Sequence, residues 1–134
     1  MDNPSIISHI SLGTNDFARA VAFYDAVLQT IGAQRLVEHD EAIAYGKQYP
    51  EFWLSTPLDE AKATAGNGTH LAFFAADKSQ VDAFHRVALE QGGLCDGKPG
   101  PRPEYGDPFY GCFVRDLDGH KIEATFWDTE MAGA

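Results

Sequence analysis

The sequence predicts an α+β fold made of two similar halves, each with a strand, an amphipathic helix and three further strands. Two segments carry apolar residues at helical spacing, and the segments around them alternate in polarity as strands do. The chain also resembles itself when it is shifted by 61 residues, the distance from His9 to His70. Because 134 residues suffice for one domain with a core, both halves are expected in a single domain covering 1–134.

The first half is predicted to cover about residues 5–56. A strand at 6–12 precedes a helix that begins after Asp16, a favourable N-cap, and ends at Gly32. Steps of four and three separate its apolar residues, which therefore share one helix face: Phe17, Val21, Tyr24, Leu28 and Ile31. Strands are then predicted at 34–39, 42–46 and 51–56.

The second half, about 69–127, follows a linker at 57–68 and precedes a short tail at 128–134. Its first strand is predicted at 69–75. Its helix is predicted at 79–91, where Asp77 and Gln80 form a capping-box pattern and Gly92 and Gly93 end the helix. A short strand near Leu94 and strands at 110–115 and 120–127 complete it. The Gly/Pro-rich stretch 97–109 is predicted to be a long loop, either a functional lid or disordered.

The two halves are similar enough to indicate a duplication. Between 9–32 and 70–93 the identical pairs are His9 and His70, Asp16 and Asp77, Ala22 and Ala83, Phe23 and Phe84, Leu28 and Leu89, and Gly32 and Gly93. Chance would give one or two identities in a stretch of this length. The repeat predicts that the halves fold alike.

Composition excludes several classes of partner. The formal charge of -10 and the lack of a basic cluster argue against nucleic acid. No apolar run approaches the ~20 residues of a membrane helix, and the N-terminus MDNPSIIS does not have the pattern of a signal peptide. We therefore expect a cytoplasmic protein that does not bind nucleic acid or span a membrane.

One carboxylate lies in an otherwise uncharged stretch of the last predicted strand. Strand alternation places Glu123 on one face with Thr125 and Trp127, whereas Ile122 and Ala124 lie on the other. A carboxylate among large apolar neighbours is costly unless it is paired or bound to a cation. Glu123 is therefore expected to have a positively charged or metal partner.

Two histidines can provide that partner. The same alternation directs His9 and His70 away from the helices, to the side on which Glu123 lies. A single strand histidine is more often a core or surface residue than a ligand, but the joint placement changes this interpretation. Two imidazoles and one carboxylate form a facial-triad ligand set for a divalent transition metal.

Three stretches, SHISLGTNDFARAVAFYDAVL, GTHLAFFAAD and FVRDLDGHKIEA, give the chain a recognisable similarity over about 5–127. It resembles the vicinal oxygen chelate superfamily, which includes glyoxalase I, extradiol dioxygenases, fosfomycin-resistance thiol transferases, methylmalonyl-CoA epimerase and bleomycin-binding proteins. The resemblance implies two βαβββ modules that curl into a cup, and a homodimer. It also implies a divalent metal (Fe, Mn, Ni or Zn) on His9, His70 and Glu123, with Glu123 taking part in catalysis.

The fourth strand departs from the glyoxalase I pattern. Where such members carry a Glu that binds the metal and accepts a proton, this chain has Trp53, with Glu51 two residues away on the same face. Trp cannot act as that base, which argues against isomerase or epimerase chemistry. A lyase, thiol transferase or dioxygenase activity is favoured, unless a shift of register brings Glu51 to the metal.

The remaining expected site residues form the walls of the cup. Ser11, Trp53, Phe74 and Trp127 are expected to contact the substrate, and Arg102 to bind an anionic group. Tyr105 and Tyr110 are candidate proton donors. The alternative to an enzyme is a bleomycin-resistance-like protein that binds a small molecule in an aromatic cup without catalysis.

Overall fold

The computed structural model describes residues 4–128, so 129–134 of the predicted tail lie outside the described residues. The first half contains β1 (Ile10–Gly13), α1 (Phe17–Gln29), β2 (Gln34–His39), β3 (Ala42–Gly46) and β4 (Phe52–Ser55). The second half contains β5 (His70–Phe74), α2 (Lys78–Glu90), β6 (Leu94–Pro101), a short 3-10 turn (Pro103–Tyr105), β7 (Phe109–Arg115) and β8 (Lys121–Trp127).

Each half forms its own four-stranded mixed sheet. The strand orders are β1-β4-β3-β2 and β5-β8-β7-β6, with the first pair of each sheet parallel and the others antiparallel. The α+β fold of two βαβββ modules is confirmed. We call the sheet face opposite the helix of the same module its open face.

The repeat extends to the helix boundaries. Asp16 accepts a hydrogen bond from the amide of Arg19, and Asp77 accepts one from the amide of Gln80. Each cap satisfies an amide that has no partner within its helix, which fixes where the helix begins. As a result α1 and α2 begin and end 61 residues apart, at Phe17–Gln29 and Lys78–Glu90.

The helices pack on their own sheets and also contact each other, so the two modules share one hydrophobic core. The rings of Phe52 in β4 and Phe73 in β5 meet edge to face across the module boundary, with centroids 5.3 Å apart. No helix in residues 4–128 is long and apolar enough to cross a membrane.

The turn between β7 and β8 ties the modules together. Asp116 accepts a hydrogen bond from the hydroxyl of Tyr24 in α1, and the His120 ring nitrogen Nε2 lies 2.7 Å from the carbonyl oxygen of Gly13. Asp118 Oδ1 accepts from the amide of Asn15 at 2.9 Å. His120 is accordingly a buried structural residue.

The predicted loop at 97–109 is wrong over its first part. β6 continues through Pro101, and the pairing with β7 shifts register on either side of Gly97. Such bulges let an irregular Gly-rich stretch stay in a sheet. Because β6 is an edge strand, the missing N–H of Pro101 costs no central hydrogen bond.

Candidate metal and substrate site

The structure brings together two of the three predicted ligands. His70 begins β5, and Glu123 lies on the adjacent strand β8, where it pairs with Ala72. The His70 Nε2 and Glu123 Oε1 atoms are 3.0 Å apart on the open face of the second sheet. Glu123 is only 6% exposed, whereas His70 is exposed to the open face.

Burial raises the pKa of the Glu123 carboxyl, while His70, Lys121 and Arg102 oppose that rise. A carboxylate in this position is stabilised by positive charge. One imidazole nitrogen and one carboxylate oxygen at hydrogen-bond distance are donors that suit a borderline divalent transition metal. His70 and Glu123 therefore provide two donors of the kind that the predicted metal requires.

His9 is not joined to this pair within one chain. It immediately precedes β1, and its Nδ1 lies 3.1 Å from Ser8 Oγ. Within residues 4–128, no group of three candidate ligands closer than 4.8 Å to one another contains His9. The role of His9 as third ligand stays a prediction.

A different group, Asp116, Asp118 and His120, does bring three candidate donor atoms within 4.8 Å. Its atoms already form hydrogen bonds within the turn. Asp116 Oδ1 accepts from the amides of Asp118 and His120, both at 2.9 Å. The His120 ring is also paired with the Gly13 carbonyl. Hydrogen bonds of the turn therefore already engage donor atoms of this second group.

The strand register decides which residue of β4 is equivalent to Glu123. Ser11 pairs with Trp53 in the first sheet, and Ala72 pairs with Glu123 in the second. Since Ser11 and Ala72 are 61 residues apart, Trp53 occupies the repeat position of Glu123. Its ring stacks on His39, with centroids 6.2 Å apart and planes 11° from parallel.

Aromatic residues cover the end of the second open face near the carboxyl end of β8. The rings of Tyr105 and Trp127 both contact Phe109 edge to face, at centroid distances of 5.2 Å. Phe74 on β5 is 75% exposed. The predicted wall residues Phe74 and Trp127 thus lie on this face, and Tyr105 reaches it through Phe109.

The opposite end of this face carries cations. Arg102 Cζ lies 5.7 Å from the centre of the Phe113 ring, and Lys121 Nζ lies 5.0 Å from it. Phe113 pairs directly with Glu123 and its ring meets that of His70 edge to face. Arg102 is therefore next to the candidate metal ligands, where a substrate residue was expected.

Tyr110 is a correction to the predicted site. Its hydroxyl donates to Asp82 Oδ1 at 2.7 Å, and its side chain packs against the core on the α2 side of the sheet. Burial and Asp82 raise the pKa of Tyr110 to about 12. A residue on the helix side cannot donate a proton to a substrate at Glu123.

Three residues of the open face were not predicted from the sequence: Phe109, Phe113 and Lys121. Lys121 precedes Glu123 by two positions on β8, so strand alternation alone would have found it. Phe109 and Phe113 required the β7–β8 register. The Thr125 hydroxyl oxygen is buried and has no hydrogen-bond partner within the described chain, which is unusual for a polar group.

The module boundary contains a cavity of about 380 Å³. It opens between β1 and β5, each of which is the edge of its sheet, and is lined mainly by apolar residues, including Ile7, Ile10, Phe52 and Phe73. Ser11, the remaining predicted substrate residue, is exposed beside Trp53 on the open face of the first sheet.

A sequence profile of the Glyoxalase/Bleomycin resistance protein/Dioxygenase superfamily matches residues 6–124. The chain belongs to this superfamily. Solved structures agree with the assignment. A glyoxalase/bleomycin resistance protein from Albidiferax ferrireducens T118 is 36% identical to this superfamily member, with 91% of this chain and 98% of that chain covered and a TM-score of 0.82.

More distant structures share the superfamily fold. A lactoylglutathione lyase from Agrobacterium tumefaciens is 21% identical, with 93% of this chain and 96% of that chain covered and a TM-score of 0.65. A glyoxalase/bleomycin resistance protein/dioxygenase family enzyme from Burkholderia phytofirmans PsJN is 18% identical, with coverages of 90% and 97% and a TM-score of 0.69. Among curated proteins, no sequence matches the chain significantly.

Proposed function

We propose that the protein is a metal-dependent enzyme that acts on a small molecule with two adjacent oxygen atoms. The observation that carries this proposal is the contact between His70 Nε2 and the buried Glu123 Oε1, at 3.0 Å, on an open sheet face. Superfamily membership supports it. The partner is a small molecule, and a cytoplasmic location remains our expectation.

The metal ligands and the aromatic residues have different roles in this mechanism. His70 and Glu123 would hold the ion, with Glu123 fixed in place by its strand and His70 accessible from the open face. When bound, a divalent ion supplies Lewis acidity to the substrate oxygens. The aromatic side chains of Phe74, Phe109 and Trp127 would exclude water from the apolar part of the substrate.

The class of reaction follows from what the first module lacks. Trp53 occupies the repeat position of Glu123, so no second carboxylate lies at that place to remove a proton beside a carbonyl. Reactions that need no carboxylate base at the position of Trp53 remain accessible. We therefore propose a lyase, thiol transferase or dioxygenase type of reaction in preference to glyoxalase I isomerisation.

The second candidate function is binding without catalysis. The observation in its favour is the stacked pair of Trp53 and His39, which forms a flat surface on the open face of the first sheet. If the protein only binds its ligand, a planar ligand should bind with the same affinity before and after the metal is removed. Binding that depends on Glu123 and on metal favours the enzyme.

We further propose a homodimer in which His9 of a second copy completes the site. Within residues 4–128, β1 and β5 are sheet edges, and Ile7 and Phe74 beside them are 60% and 75% exposed. Exposed apolar edges favour pairing with another chain. A second copy could bring its His9 to the His70 and Glu123 pair, which a single chain does not.

Glu123→Gln is expected to abolish stoichiometric metal binding. The amide keeps the size of the side chain but removes the charge that a divalent ion requires in a buried place. Elemental analysis of protein purified without chelator should give about one divalent ion per wild-type chain, and His70→Ala should lose it as well.

Asp118→Asn is the matched control for this measurement, because Asp118 belongs to the other candidate group and the amide can keep its acceptor oxygen. This variant should retain its metal. Metal loss in Asp118→Asn together with normal content in Glu123→Gln would move the site to the turn and contradict the proposal.

If the metal site is shared between two copies of the chain, mixing two variants that cannot bind metal should restore some of the metal sites. Light scattering is expected to give twice the chain mass of 14.6 kDa. A heterodimer of His9→Ala and Glu123→Gln chains contains one complete site, so refolding the mixture should recover up to about a quarter of the wild-type metal content by random pairing. A monomeric mass, or no recovery by a dimeric mixture, would exclude the shared site.

A further inference from the structure

The chain has a formal net charge of -10, yet positive charge is concentrated beside the candidate metal ligands. Arg102 comes from the segment after β6, and Lys121 comes from the first position of β8. Both lie against the same ring, that of Phe113. A local cluster of cations on an acidic protein focuses an attractive field for anions.

The Arg102 guanidinium is held in a fixed orientation. Its Nη2 donates to the Lys98 carbonyl at 2.6 Å and its Nη1 donates to the Pro101 carbonyl at 3.1 Å. A guanidinium has five N–H donors. The two carbonyl bonds leave further N–H groups for a ligand, and they reduce the side-chain entropy that ligand binding would cost.

Gly97 provides the room for this arrangement. A Cβ at position 97 would lie 2.8 Å from Phe113 Cδ2 and 3.3 Å from Arg102 Nη2. Any larger residue would displace the ring or the guanidinium. The pairing of β6 with β7 shifts register on either side of Gly97. The absence of a side chain at this position lets Arg102 approach Phe113.

The charges of the cluster are not fully balanced by protein carboxylates. Arg102 has no ion pair within residues 4–128: its two hydrogen bonds go to neutral carbonyls, and its charge acts on Glu123 through space. Lys121 Nζ is 3.9 Å from Asp96 Oδ2, an atom that also pairs with Arg115 at 3.0 Å. A positive excess thus remains next to Glu123, and a bound divalent ion would increase it.

We propose that Arg102 and Lys121 form an oxyanion subsite and that the substrate of the proposed metal site carries a carboxylate or a phosphoryl-type group. This inference rests on the proposed function, because it places the anionic group of the same substrate beside the metal. The ligand would be bipolar: its anion would lie over Phe113, and its apolar part would lie toward Phe74 and Trp127.

The subsite can be tested in metal-free protein, by NMR titration with sodium phosphate and with sodium acetate against sodium chloride at constant ionic strength. Saturable shifts of the Arg102 side-chain and Phe113 backbone signals are expected with at least one oxyanion, and the better ligand identifies the group. Arg102→Gln should weaken binding by about tenfold or more, as expected for the loss of a charge-assisted hydrogen bond. Lys121→Gln should also weaken it.

Arg86→Gln is the control, because it makes the same change in net charge on the exposed surface of α2, where Arg86 pairs with Glu90. Binding should stay within about twofold of wild type, since a distant exposed charge is screened by salt. Equal weakening in Arg86→Gln, or no saturable shift with either oxyanion, would overturn the subsite. Neither outcome affects the metal-content test, so the two proposals fail separately.

Discussion

Supplied with methylglyoxal and glutathione, the protein is expected to show no efficient isomerase turnover in its Ni, Zn, Mn or Fe form. Glyoxalase-type isomerisation needs a base that removes a proton beside a carbonyl. The strand register gives that place to Trp53, the repeat counterpart of Glu123. Loss of a positioned general base typically costs about 10² to 10⁴-fold in rate, which leaves at most a residual activity.

The measurement is a steady-state assay of each metal form, and the informative variants are Trp53→Glu and Glu51→Gln. Trp53→Glu restores a carboxylate at the repeat position and is expected to raise the residual rate. Glu51 precedes β4, and its carbonyl accepts from the Ile10 amide at 2.9 Å. Ordinary enzyme rates that Glu51→Gln abolishes would show that Glu51 acts as the base, in contradiction to this prediction.

Asp116→Ala is expected to have the largest effect on stability of any substitution considered, about 2–4 kcal/mol. The Asp116 carboxylate is buried and accepts hydrogen bonds from the Tyr24 hydroxyl and from the amides of Asp118 and His120. Alanine would leave these donors without partners at the junction of the modules. Urea unfolding followed by circular dichroism gives the difference.

Asp116→Asn separates hydrogen bonding from charge. Burial raises the pKa of Asp116 above its usual 3.8, although hydrogen bonds from Tyr24 and others oppose the rise. Folded protein thus binds more protons than unfolded protein just above that pH, and this residue's contribution to stability falls as the pH rises. Relative to Asn, the wild type should therefore lose stability as the pH rises above the usual pKa of an aspartate.

Asp40→Ala, at an exposed position in the turn between β2 and β3, is the control and should change stability by less than about 0.5 kcal/mol. If Asp116→Ala costs no more than this control, the turn does not hold the modules together. If the difference in unfolding free energy between wild type and Asp116→Asn is constant with pH, the Asp116 carboxyl titrates alike in the folded and unfolded states, and the pH prediction is wrong.

The sequence was sufficient for the parts of the fold that local interactions determine. Both helices begin after Asp residues because a side-chain oxygen satisfies an unpaired amide, and that rule operates within three residues of chain. Strand alternation placed Glu123 and His70 on the same side because its period is the same everywhere. Their contact at 3.0 Å follows from that alternation and the pairing of β5 with β8.

The features that the sequence did not predict depend on the register between strands and on which strand lies at a sheet edge. Tyr110 has the right chemistry for a proton donor, but its pairing with Phe126 puts it on the helix side. β6 continues through a Gly/Pro-rich stretch because a bulged edge strand tolerates both residues, which composition alone cannot indicate. Phe113 joins the site only because β7 is aligned with β8 at Glu123.

The pairing of Ser11 with Trp53, beside that of Ala72 with Glu123, has a consequence for how such a protein can change. Two geometrically equivalent positions exist in one chain, and they hold side chains of opposite character. Substitutions at one position can alter the open face of the first sheet while the other position continues to supply the proposed charge for metal binding. A duplicated scaffold can therefore acquire new ligand preferences by mutating one half, without first losing the chemistry of the other.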